Sequence, residues 1–98
     1  MNYSEMSDFE INEAVSKTLL SEAANPNARF VAIGDYCRSW SDAGPIILAN
    51  KITISAPMEY DQPADWLAYP ASDIDLCESH PNPLRAAMIV FLVMQEAK

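Results

Sequence analysis

The chain has 98 residues, half of them apolar and a fifth charged, enough for one hydrophobic core over residues 1–98 and unlike the composition of a disordered segment. Fourteen acids against six bases set the net charge at -8, and six of those acids (Glu59, Asp61, Asp65, Asp73, Asp75 and Glu78) fall in one stretch without Lys or Arg. A field of that sign opposes direct contact with nucleic-acid phosphates, which takes clustered basic side chains.

The first element is written in MSDFEINEAVSKTLL. Ser7 followed by Glu10 is a capping box, with Met6 and Ile11 placed as a hydrophobic staple. Ile11, Ala14, Val15 and Leu19 recur at helical spacing, which turns Glu10, Glu13 and Lys17 outward. The opening MNYSEMSDFE has no basic or apolar export region, and Cys37 and Cys77 are too few for a disulfide framework. The cytoplasm of a bacterial host, where thiols stay reduced, is the expected location.

Asn25-Pro26 ends the first helix, and RFVAI, closed by Gly34-Asp35, has the aromatic and β-branched content of a strand. YCRSW could continue into a second strand after a turn, although Ser39, Ser41 and Asp42 weaken that pattern. In GPIILAN, Pro45 suits the first position of a short helix and Asn50 the left-handed residue that ends it. KITIS alternates with period two, so a half-buried strand is expected with Ile52 and Ile54 on one face.

From Pro57 to Pro83 five prolines interrupt the chain. This segment is expected to be a long acidic loop in which WLAY or DIDLC supplies at most a short edge strand. The last helix opens with Asn82 as cap and Pro83 at its first position. Its apolar run, Ala86 to Met94, is about half the roughly 20 residues that cross a bilayer. No membrane role follows. Apolar on every side, it belongs inside the fold, or buries one flank against a second subunit in a homodimer through this C-terminal helix.

The expected architecture is therefore α+β: two terminal helices packed on a small antiparallel β-sheet near residues 29–34 and 51–55, with a short central helix and a long Pro-rich acidic loop.

Chemistry is sparse. Gly34 and Gly44 are the only glycines, so no phosphate-cradling loop can be assembled. Cys77 and His80 form a C-x-x-H pair, but a closed zinc site would need two further ligands, and a Cys packed in the core with a His in the turn before the helix cap is the simpler reading. His80 is the one histidine available as a base, and no serine or cysteine stands in a nucleophile-elbow context. No cofactor or metal is implied, and a non-enzymatic role is favoured without closing the question.

The richest constellation is EYDQPADWLAYPASDIDLCE. Tyr60, Trp66 and Tyr69, set among Asp61, Asp65, Asp73 and Asp75, could form a recognition surface, with aromatics supplying contact area and acids steering a basic partner. The competing readings are Trp66 as a core plug with the acids merely solvated, and a small-molecule or hydrolase pocket between sheet and loop using Arg38, His80 or Arg85.

MNYSEMSDFEINEAV, PIILANKITIS and NPLRAAMIVFLVMQE together resemble the NinX-like family of small proteins from tailed phages and prophages of enteric bacteria. The resemblance covers both ends and the middle of the chain, with the C-terminal segment the most specific. It implies a phage or prophage accessory protein that binds a host or phage protein, and it brings no activity, cofactor or catalytic residue to carry over.

Overall fold

The structure is a computed structural model that describes residues 2–22, 34–56 and 65–96. Its elements run in the order of a short 3-10 helix (Tyr3–Glu5), α1 (Asp8–Glu22), α2 (Trp40–Ala49), β1 (Ile52–Ser55), β2 (Trp66–Pro70), β3 (Glu78–His80) and α3 (Pro83–Glu96). This is the expected α+β arrangement. The strand anticipated at RFVAI falls on residues 29–33, outside the described residues.

α1 begins as its sequence dictates. The Ser7 amide donates to Glu10 Oε1 at 3.0 Å and the Glu10 amide to Ser7 Oγ at 3.1 Å, which satisfies two of the donors left open at a helix start. Ile11 and Val15 are fully buried, with Met6, Ala14 and Leu19 packed against the same core.

Residues 36–38 form a turn rather than the continued strand considered for YCRSW. The serines and aspartate that weakened the strand pattern are the cap of a helix: Ser39 accepts from the Asp42 amide at 3.3 Å, and the Asp35 carbonyl accepts from the amides of Arg38 and Ser39. α2 thus starts five residues before Pro45, which lies inside the helix. The amide that Pro45 lacks would have met the carbonyl of Ser41, an exposed first-turn residue that water can serve. At the other end Asn50 keeps a negative φ of -101°, while Lys51, with φ 53°, takes the left-handed position expected of Asn50.

The three strands form an antiparallel sheet in the order β1-β2-β3. WLAYP is therefore a central strand, not an edge. Proline is tolerated because Ala71 N donates to Lys51 O at the neighbouring register position. The nitrogen of Pro70 then points away from β1, past the last β3 pairing at Ala68 and Glu78. The sequence DIDLC lies in turns between β2 and β3.

α3 is the centre of the molecule. It packs on all three strands, on α1 and on α2, so the sheet lies on one side of it and the other two helices on the rest. Leu84 through Leu92 are buried without a break. No helix among the described residues is long and apolar enough to cross a membrane.

Asn82 caps α3 by accepting from the amides of Leu84 and Arg85 at 3.0 and 3.4 Å. Its side-chain amide reaches Cys37 O at 2.6 Å, so one residue both starts the helix and pins the turn before α2 to it.

Candidate functional site

The strand register decides what the acidic segment can present. Trp66 lies opposite His80, and Ala68 lies between Ile54 and Glu78. Side chains alternate along a strand, so Trp66, Ala68 and Pro70 share the face that meets α3 while Leu67 and Tyr69 share the other. Trp66 and Tyr69, both half-buried, therefore do not form one aromatic surface. Asp65, Asp73 and Asp75 are exposed, while Tyr60 and Asp61 lie outside the described residues.

What the segment does present is the tip of the β2–β3 connection. Asp73 N donates to Pro70 O at 3.1 Å, Leu76 N to Asp73 O at 3.2 Å, and Asp75 N to Asp73 Oδ1 at 3.1 Å. Carboxylate capture of an amide two residues on is the usual device of an aspartate in a turn. Between the two carboxylates Ile74 stands 68% exposed. Nothing among the described residues covers this apolar side chain, and an exposed acid stands on each side of it. Sequence reasoning passed over Ile74 because it fits neither periodicity; an isolated apolar residue in a charged turn was the available signal.

Each residue of the alternative trio has a partner within the chain. Arg85 is 5% exposed and is occupied by Asp8 Oδ1 at 2.7 Å and by the carbonyls of Tyr3 and Met6. It fastens the N-terminal turn to α3. His80 accepts the Asn82 amide on Nδ1 at 2.9 Å, which makes its ring part of the entrance to α3. Arg38 is largely exposed and pairs with Asp35 at 3.3 Å.

The two free cysteines differ from their expected placement. Cys77 is exposed, and Cys37 is the one in the core. The Cys37 amide donates to Asn12 Oδ1 at 3.0 Å, and burial, reinforced by the charge of Asp8, pushes its thiol up to about 12. Among the described residues no three of His, Cys, Asp and Glu stand together to hold a metal ion.

A cleft of about 540 Å³ opens between the helices, lined by Leu19, Tyr36, Asp42, Pro45 and Phe91 among others. A smaller hollow of about 270 Å³ lies where Asp8, Phe9, Asn12, Asp35 and Arg38 meet.

These features define a small α+β protein with an enclosed central helix and an acidic turn offered to its surroundings. The family model described as "Bacteriophage P22, NinX" matches residues 2–95, and the chain belongs to that phage protein family. No curated protein and no solved structure gives a match.

Proposed function

We propose that this NinX-family phage protein is a non-enzymatic interaction module, acting in the cytoplasm of the bacterial host and presenting its acidic β2–β3 turn to a host or phage protein. The observation that carries the reading is the Asp73-Ile74-Asp75 tip, where an exposed isoleucine stands between two exposed acids in a turn held by backbone hydrogen bonds and by the Asp73 carboxylate, which accepts from the Asp75 amide. A turn already ordered loses less freedom on binding than a slack one. The acids flanking it in sequence, including Asp61 and Asp65, add long-range attraction for a basic partner and discourage direct nucleic-acid contact.

The test is affinity capture from phage-infected cells with the parent chain and with the Asp73→Lys, Ile74→Ser, Asp75→Lys variant. Loss of the captured protein supports the turn as the contact. Retention of every partner at parental yield rules it out.

A second reading, a small-molecule binder for a nucleotide or metabolite or a small hydrolase, draws on the cleft between the helices. Such a ligand at 100 times its dissociation constant would add about 2.7 kcal/mol of stability, readable as a thermal shift. A broad panel without a shift would leave the interaction reading standing alone.

A further inference from the structure

The hollow of about 270 Å³ between the start of α1 and the turn before α2 is lined by Asp8, Phe9, Asn12, Asp35 and Arg38. Two of these residues are fixed by the fold. Asn12 is 6% exposed, and its Oδ1 is held by the Cys37 amide at 3.0 Å, which leaves its amide nitrogen for the hollow. Asp35 is pinned through its backbone: its carbonyl accepts from the amides of Arg38 and Ser39, and its own amide donates to Asp42.

Hydrogen-bonding capacity is left over on both. Asn12 Nδ2 carries two hydrogens, and its one partner among the described residues is Asp35 Oδ1 at 3.4 Å. The Asp35 carboxylate meets Arg38 Nε at 3.3 Å, so both contacts are longer than the roughly 2.7–3.2 Å of ordinary N–H···O bonds. A buried amide and a rigidly carried carboxylate thus stand side by side, each with room for a better partner. Phe9, 61% exposed, adds an aromatic wall with most of its surface in water.

Charge and size narrow the ligand. Asp8 is paired with Arg85 at 2.7 Å and Asp35 with Arg38 at 3.3 Å, while Asp42 lines the neighbouring cleft. A charged ligand has to compete with one of these pairs; an uncharged one that sets donors beside an acceptor does not. The volume falls just below the roughly 300 Å³ at which pockets for drug-sized ligands begin, which is room for a single ring system.

We propose that this hollow binds the base of a guanine nucleoside. Guanine sets two adjacent donors, N1–H and N2–H, beside the acceptor O6. The donors go to the Asp35 carboxylate, O6 takes the spare hydrogen of Asn12 Nδ2, and the ring stacks on Phe9. Adenine has an acceptor where guanine has N1–H, and would set it against the carboxylate. Phosphate contributes nothing, because Arg38 is the one basic residue among the described residues that line the hollow and neither glycine is there.

Isothermal titration calorimetry of the full chain with guanosine, inosine, adenosine and GMP reads the assignment. Guanosine should bind, inosine, which lacks the 2-amino group, at least about tenfold more weakly, and GMP no more tightly than guanosine. Phe9→Ala, at an exposed position, should weaken guanosine binding by about fivefold or more at an unchanged melting temperature. Asp35→Asn puts a donor in place of an acceptor and should turn the preference from guanosine to xanthosine, which has an oxygen where guanosine has its 2-amino group. A variant that merely misfolds gains no such preference. Absence of guanosine binding at about 1 mM overturns the proposal. So does equal binding of guanosine and adenosine, undiminished binding in Phe9→Ala, or a folded Asp35→Asn protein that still prefers guanosine.

Discussion

Arg85 Nη1 meets Asp8 Oδ1 at 2.7 Å across 77 positions of sequence, the guanidinium buried and the carboxylate nearly half in water. The same guanidinium accepts no protons and gives several, to the carbonyls of Tyr3 and Met6 as well. One cation in the most apolar helix of the chain thus gathers the 3-10 helix and the start of α1 onto α3.

Breaking this arrangement from its two sides should not cost the same. Asp8→Ala strands a buried positive charge with neutral partners only, and should lower stability by about 2 kcal/mol, less than for a fully buried pair because water already screens Asp8. Arg85→Met removes the charge and keeps most of the volume, at about 1 kcal/mol for the carbonyls left to find water. Urea denaturation of both single variants and the double one should give a double cost clearly below the sum. Additive costs would show that the two side chains are neighbours without being coupled.

Local signals made part of this fold legible. The Ser7–Glu10 box, the Asn82-Pro83 start of α3 and the strand in KITIS each depend on residues a few positions apart; the first two are realised as read, and the strand forms over Ile52–Ser55 with Lys51 left in the turn before it. The centrality of β2 was not legible, because WLAYP is central only once β3 pairs with it, and ESH is too short and polar to announce itself. The burial of Arg85 was hidden for a similar reason, since its carboxylate partner lies at the other end of the chain. Of the proposed site, the acids were visible in composition. The placement of Trp66 and Tyr69 on opposite faces of β2 follows from register, and register is a tertiary fact.

The two thiols should be separable by reactivity alone. Cys77 is exposed and Cys37 fully buried, with its thiol pushed up to about 12 by burial. Since the thiolate is the reactive form, native protein should release colour from an aromatic disulfide reagent at one site per chain, and Cys77→Ser should abolish that release until denaturant is added. Slow release of one equivalent from the folded Cys77→Ser protein would mean that the turn at residues 36–38 opens readily; rapid release would place Cys37 outside the core.

Tyr3 predicts an alkaline limb to stability. Its hydroxyl donates to Glu96, joining the two ends of the described chain, and burial first, then that hydrogen bond and the Glu96 charge, raise its pKa from 10.0 to about 12. A group whose folded value is raised contributes fully below the unfolded value and loses its contribution as pH climbs through the folded one. Stability attributable to Tyr3 should therefore be intact at pH 9 and decline between 10.0 and about 12. Ultraviolet absorbance should show one tyrosine ionising late, and Tyr3→Phe should remove both that late step and the slope of stability over the same interval. An unchanged slope in Tyr3→Phe would assign alkaline instability to other groups.

Lys51 offers a gain of stability in the turn between α2 and β1. With φ 53° it is the one non-glycine residue among those described to hold a positive φ, a conformation in which an L side chain crowds its own carbonyl. The chain accepts it because the turn from α2 into β1 must be made there, and because Lys51 O receives the Ala71 amide at 2.9 Å, which ties the turn to β2. Asparagine tolerates the same backbone without adding freedom to the unfolded chain, so Lys51→Asn should stabilise by about 0.5–1 kcal/mol. Lys51→Gly should gain less, because glycine also raises the entropy of the unfolded state. Lys51→Val, β-branched at a positive φ, should lose more than about 1 kcal/mol. For a chain of this size each 1 kcal/mol moves Tm by roughly 4–8 °C, so thermal melts of the three variants should rank asparagine above glycine above the parent, with valine last.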